Sequence, residues 1–166
     1  MPTEIELKYG KKAVRVQLPA KAAVYTTTDP EKTADTTGFA ADLDARLAES
    51  GVGRGRVAVV VADKTRLCGY GRYLPVLIER LVAGGVDPEA ITFFIAYGTH
   101  PRQSDAESRS AYGAVFGRGR FVHHDCDDTA VFVDCGLTSR GTPVRFRRDL
   151  LDADMRVTFG AISHHY

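Results

Sequence analysis

An excess of charge of either sign is what this sequence most plainly lacks: 22 Lys and Arg stand against 21 Asp and Glu, a formal net charge of +1. That balance gives no electrostatic case for nucleic acid or an anionic membrane as a partner. Cysteine is scarce too. Cys68, Cys126 and Cys135 are an odd number with no C-x-x-C pair, which argues against a disulfide scaffold. No apolar stretch approaches the ~20 residues that a membrane span needs. The opening M-P-T-E-I-E-L has neither the basic start nor the apolar core of a signal peptide, so a cytoplasmic location is expected. No internal repeat or low-complexity segment occurs. With 166 residues, 44% hydrophobic and 26% charged, the chain suits one domain with a substantial core.

What is present is organised around Val57 to Arg66, V-A-V-V-V-A-D-K-T-R. A valine-rich run of this kind reads as a strand buried on both faces, as inside a parallel sheet. It stops at Asp63, and Lys64, Thr65 and Arg66 follow at once. Ligands of open α/β sheets bind outside the carboxyl ends of the strands, so this polar cluster is a candidate site. Asp63 or Thr65 can equally be the cap of the next helix.

Along the chain, residues 4–18 alternate on both sides of Gly10 and predict a hairpin, with Ile5, Leu7 and Tyr9 facing Val14, Val16 and Leu18. Residues 20–37 read as a long connection. Phe39, Leu43 and Leu47 recur at helical spacing and end before Gly51. The spacing of Leu74, Leu77, Ile78, Leu81 and Val82 predicts a helix with those five on one face and Pro75 in its first turn. I-T-F-F-I-A at 91–96 is a second buried strand, completing a βαβ unit. The polar loop Y-G-T-H-P-R-Q-S-D follows, where Ser104 and Glu107 form a capping box. Strands are expected at 121–125 and 130–136, a polar turn at T-S-R-G-T-P-V, a short helix at F-R-R-D-L-L-D-A, and a last buried strand at M-R-V-T-F-G-A-I. The expected fold is α/β: a mostly parallel sheet flanked by helices, with an N-terminal β-hairpin. Its parts are the hairpin over 1–19, linker and helix over 20–56, and the α/β core over 57–166. Because the last strand runs straight into the terminus, a fragment of a longer protein is expected.

Three strand ends then carry polar clusters: Asp63 to Arg66, Thr99 to Arg102, and His164-His165. Parallel strands put all three at one edge, where Arg66, His100 and His165 can reach one small ligand. Two histidines suit a general base and a general acid near neutral pH. Arg66 offers a forked donor to carboxylate or phosphate. Either histidine can instead be a solvated structural residue. His123-His124-Asp125-Cys126-Asp127-Asp128 contains metal-ligating types, but adjacent strand residues point to opposite faces, and no second cluster completes a site. Turn chemistry at a strand end is favoured there, and no metal ligand is assigned. Cys68 reads as a small packed residue. Gly51, Gly53 and Gly55 precede the strand, which is the wrong order for a dinucleotide fingerprint.

Taken in order, A-D-K-T-R at 62–66, A-Y-G-T-H at 96–100, H-D-C-D-D at 124–128, G-L-T-S-R-G-T-P-V at 136–144 and G-A-I-S-H-H-Y at 160–166 resemble the N-terminal domain of the nickel-dependent lactate racemase family. The resemblance covers roughly residues 5–166. It implies inversion of the hydroxyl-bearing carbon of a 2-hydroxy acid by hydride transfer to a nickel-pincer nucleotide, a nickel pyridinium-3,5-bisthiocarboxylate mononucleotide. It also implies that Asp63, Lys64, Thr65 and Arg66 contact that cofactor and that His100 and His165 are the two catalytic bases, one for each face. The family usually has D-H-T-R-P where this chain has Lys64 and Leu67, and R-P where it has Pro101-Arg102. The family's glycine-rich segment with the lysine that holds the cofactor comes after the last motif, as do its nickel-ligating histidine and its C-terminal domain. The chain alone is therefore expected to be inactive, with an apolar face that favours self-association. Two other readings stay open: a non-catalytic nucleotide- or carboxylate-binding module, and a degenerate product with a scaffolding role.

Overall fold

The structure, a computed structural model, describes residues 3–25, 35–51 and 55–162. The chain divides into two compact units, Met1–Thr33 and Ala34–Tyr166. In the first, β1 (Thr3–Tyr9) pairs antiparallel with β2 (Lys12–Leu18), setting Ile5 opposite Val16 and Leu7 opposite Val14 as the alternation predicts. The connection expected over 20–37 reaches into the second unit; its residues 26–34 lie outside the described residues.

The second unit begins with α1 (Thr36–Ser50), capped by Asp35, whose carboxylate accepts from the Gly38 N–H at 2.6 Å. After it come β3 (Val57–Ala62), α2 (Tyr70–Ala83), β4 (Ile91–Ala96), α3 (Asp105–Tyr112), β5 (Arg120–His123), β6 (Phe132–Leu137), β7 (Pro143–Arg147), α4 (Arg148–Leu151) and β8 (Met155–Phe159). Four strands form one parallel sheet in the order β5-β4-β3-β8. The valine run makes β3 a central strand because both of its faces can be buried. Val57, Val59 and Val61 pack with Leu74, Leu77 and Leu81 of α2, while Ala58 on the opposite face packs with Phe94 and Ala153. Each fully buried leucine contributes roughly 1.5–3 kcal/mol, which is what holds the helices to the sheet. No described helix is long and apolar enough to cross a membrane.

Four local expectations are corrected. Helix α2 starts at Tyr70, five residues before Pro75, so the proline lies in the second turn. Gly-Tyr-Gly reads as a loop by propensity, but burial of the Tyr70 side chain draws it into the helix. Val82 is 38% exposed and does not share the buried face of Leu74, Leu77 and Leu81. The last strand, β8, is an edge strand, so only Met155, Val157 and Phe159 turn inward while Arg156 and Thr158 are exposed. The expected turn at T-S-R-G-T-P-V closes by Thr142, and Pro143–Arg147 continues as β7 against β6. That strand depends on cross-strand pairing, which no local pattern reports.

Candidate active site

Strands β3 and β4 run parallel and adjacent, so the loops leaving their carboxyl ends meet at one edge of the sheet. The end of β3 is pinned before its loop begins. Tyr70 accepts a hydrogen bond from the Ala62 N–H at 2.7 Å and donates to the Phe159 carbonyl at 3.0 Å, tying β3 to β8. Tyr112, at the end of α3, donates to the Ala62 carbonyl at 2.8 Å. The rings pack with centroids 5.4 Å apart. Burial pushes both phenols above their ordinary value, which keeps them protonated as donors. Where α2 and α3 approach, a side chain on Gly113 would meet the Gly71 backbone at 3.2 Å, so this crossing needs glycine.

Asp63 comes next and is only 3% exposed. Its Oδ1 accepts from the Thr65 N–H at 2.8 Å and the Thr65 hydroxyl at 2.6 Å, folding the D-K-T-R loop back on itself. Its Oδ2 lies 2.6 Å from Nδ1 of His100. Burial is the largest influence on this carboxyl and opposes ionisation. The hydrogen bonds from Thr65 and His100 together outweigh it and hold the carboxyl below its ordinary value. A carboxylate facing Nδ1 fixes the proton there. That leaves Nε2 as an acceptor, and it has no protein partner among the described residues. The His100 side chain is half exposed.

Neither Asp63 nor Thr65 caps a helix. Helix α2 starts behind Gly69 (φ +75), where a side chain would meet the Tyr73 ring at 3.1 Å. No side chain among the described residues caps α2, and the Arg72 and Tyr73 N–H groups turn to the Gly69 carbonyl at 2.9 and 3.0 Å. Arg66 is exposed, held through its backbone N–H to the Asp63 carbonyl at 3.1 Å. The Lys64 ammonium pairs with Glu107. That contact first, and then the Ser104 N–H, pull the Glu107 carboxyl down to about 2.

Gln103 joins the two loops from within. It is buried, its Oε1 accepts from the Lys64 N–H at 2.9 Å, and its Nε2 donates to Ser108 Oγ at 2.9 Å. Its own N–H donates to the Tyr97 hydroxyl at 3.3 Å, and that hydroxyl sits 2.6 Å from Nδ1 of His123. A cleft of about 320 Å³ opens here, lined by His100, Arg102, His123, His124, Asp125 and Asp127 among others.

The structure thus brings Asp63, Lys64, Thr65, Arg66 and His100 to one edge, as the strand-end argument predicts. His165 lies outside the described residues. His123 and His124 diverge: the first stacks on Tyr97 and the second meets Phe132 edge-on at 5.6 Å. Asp125, Cys126 and Asp127 can bring ligand atoms within 4.8 Å of one another, but all three are exposed, and Asp125 accepts from the Asp127 N–H in an ordinary turn. Sequence reasoning missed Tyr70, Tyr97, Gln103 and Tyr112. The only available signal was position, since Tyr97 and Gln103 flank the G-T-H motif.

Comparison with known proteins gives a family and a fold. The family model for the lactate racemase N-terminal domain matches residues 9–166. The structure of the lactate racemase apoprotein from Thermoanaerobacterium thermosaccharolyticum superposes with a TM-score of 0.69 at 19% identity, over 94% of this chain and 38% of that one. A crystal structure of a protein from Thermotoga maritima gives a TM-score of 0.62 at 19% identity, over 81% of this chain and 34% of that one. The chain therefore spans little more than a third of the length of either. Among proteins of curated function, none matches. A family match over nearly the whole sequence, on a parallel sheet with its polar loops at one edge, places this chain in the lactate racemase N-terminal domain family.

Proposed function

We propose that this chain is the cofactor- and substrate-binding part of an enzyme that inverts the hydroxyl-bearing carbon of a 2-hydroxy acid, with His100 as the base on one face. The observation that carries this reading is the 2.6 Å contact between a buried, ionised Asp63 and His100 Nδ1. It orients the ring and leaves Nε2 to take a hydroxyl proton. A racemase accepts both enantiomers and needs a second base on the opposite face, the role that the family resemblance gives His165.

The donor set beside Asp63 suits the nickel-pincer nucleotide that the family implies. The phosphate of a mononucleotide matches the exposed Arg66 guanidinium and the start of α2 behind Gly69, which no side chain among the described residues caps. Lys64 instead is engaged with Glu107 and Gln103, which makes it a brace for the loop more than a ligand. What the cofactor supplies when bound is acceptance and return of a hydride at the hydroxyl-bearing carbon. Binding, orientation and proton transfer fall to the protein.

The test is racemisation of lactate and related 2-hydroxy acids by the full-length, cofactor-loaded protein. His100→Ala and His165→Ala should each lower turnover by about 10²–10⁴. Unchanged turnover in both variants would overturn the assignment. Tight calorimetric binding of pyridinium mononucleotides with no turnover would favour a non-catalytic binding module.

A further inference from the structure

Tyr97 sits one residue past β4 and is only 4% exposed. Among the described residues its hydroxyl has two hydrogen-bond partners, the Gln103 N–H at 3.3 Å and His123 Nδ1 at 2.6 Å. A backbone N–H can only donate, so Gln103 takes a lone pair of the hydroxyl. The single phenolic proton then goes to Nδ1 of His123, because the opposite arrangement would leave a buried O–H without an acceptor among the described residues. With Nδ1 accepting, His123 carries its own proton on Nε2. Stacking on Tyr97, with centroids 5.8 Å apart and planes 10° from parallel, fixes the ring plane. Burial first, and then Arg102, hold the imidazole below its ordinary value, while Asp105 pulls the other way, so the ring is neutral near pH 7.

Two of the three histidines that line this cleft, His100 and His123, therefore have opposite hydrogen-bonding character. His100, with its Nδ1 proton held by Asp63, offers Nε2 as an acceptor. His123, with its Nδ1 filled by Tyr97, offers Nε2–H as a donor. A 2-hydroxy acid carries the matching pair on adjacent carbons, a hydroxyl that donates and a carboxylate that accepts. Arg102 lines the same cleft and adds a positive charge for the carboxylate. Asp125 and Asp127 oppose it, but both are exposed and screened by water.

We propose that His123 is a substrate-binding residue, a neutral imidazole held in the Nε2–H form by Tyr97 that donates to the carboxylate of the hydroxy acid while His100 accepts from its hydroxyl. The hydroxy-acid identity of the ligand rests on the reading above; the tautomer and the cleft do not.

Long-range proton–nitrogen spectra of the nitrogen-15-labelled chain read the tautomer directly. His123 should show the Nε2–H form at pH 7, and Tyr97→Phe should return it to a mixture; an Nδ1–H form in the unsubstituted chain would overturn the proposal. Sodium lactate should then shift the His123 signals saturably where sodium chloride at equal ionic strength does not. Lactate that leaves them unmoved counts against the site. In the full-length loaded protein, His123→Leu should raise KM about tenfold with kcat within about threefold, and His123→Gln should recover part of the loss by restoring a donor. An unchanged KM in an enzyme that racemises normally defeats this inference alone. Lactate shifts at His123 in a protein that turns over no hydroxy acid defeat the racemase reading and leave the carboxylate site standing.

Discussion

Two stretches of one sheet edge are built in opposite ways. At the ends of β3 and β4, polar side chains are buried and used: Asp63, Gln103 and Ser108 are no more than 3% exposed, and the two oxygens of Asp63 and both ends of the Gln103 amide have partners. At the end of β5, residues 125–128 are exposed, and their one side-chain bond among the described residues is a local turn between Asp125 and Asp127. The first stretch has its geometry settled at folding, so a ligand meets groups already aimed. The second is open to solvent and gains little from any particular arrangement. Titratable residues crowd both stretches, yet only the buried one is held in a fixed arrangement by side-chain hydrogen bonds.

The comparison can be broken most sharply at Asp63. Asp63→Asn keeps the size of the side chain but removes the charge that holds the proton on His100 Nδ1. In the full-length loaded enzyme, turnover should fall about a hundredfold or more. A loss of less than about threefold would mean that the 2.6 Å pair is structural.

Next in size is the support under that pair. Tyr70→Phe leaves the Ala62 N–H and the Phe159 carbonyl without their partner at a part-buried site. Urea unfolding should show a loss of about 1–3 kcal/mol. Tyr112→Phe removes only the donor to the Ala62 carbonyl and should cost less, about 1 kcal/mol. Equal effects from both would say that the bridge to β8 contributes nothing.

Acid should probe the buried stretch as well. Asp63 titrates lower in the folded chain than its ordinary value, so the stability it lends is complete above about pH 3.9 and is lost as pH falls through the lower folded value. Glu107, drawn down to about 2 by Lys64 and Ser104, acts with the same sign, but it is exposed to solvent and its share should fade in high salt. Urea midpoints measured from pH 6 down to pH 2 should therefore fall less steeply for Asp63→Asn. Parallel curves for the two proteins would remove Asp63 from this account.

The parts of the fold that sequence reveals are those where a local pattern and the tertiary role coincide. The valine run of β3, I-T-F-F-I-A of β4 and the Ser104–Glu107 capping box are legible because a buried central strand and a helix start each leave a short-range mark. Strand β7 is not, since Pro143–Arg147 becomes a strand only by pairing with β6. The start of α2 is hidden for a similar reason: two glycines around Tyr70 mask a residue whose burial decides the matter. In the site, Asp63 and His100 stand out as polar residues at strand ends. The roles of Gln103 and Tyr97 depend on partners 39 and 26 residues away, and nothing local encodes such a bond.

The smallest expected effect tests the other half of the comparison. Asn at position 125 retains the oxygen that accepts from the Asp127 N–H, and the charges at 125 and 127 are exposed. Asp125→Asn with Asp127→Asn should therefore move stability by no more than about 0.5 kcal/mol. Their one visible consequence should be electrostatic: with two negative charges gone from the cleft, lactate should bind about two- to threefold more tightly at low ionic strength and equally in high salt. A chelator should leave the melting temperature of the unsubstituted chain unchanged, because a ligand that binds only the folded state stabilises it. If the chelator lowers that temperature and the double substitution abolishes the effect, Asp125, Cys126 and Asp127 hold a divalent ion, and the exposed stretch is as organised as the buried one.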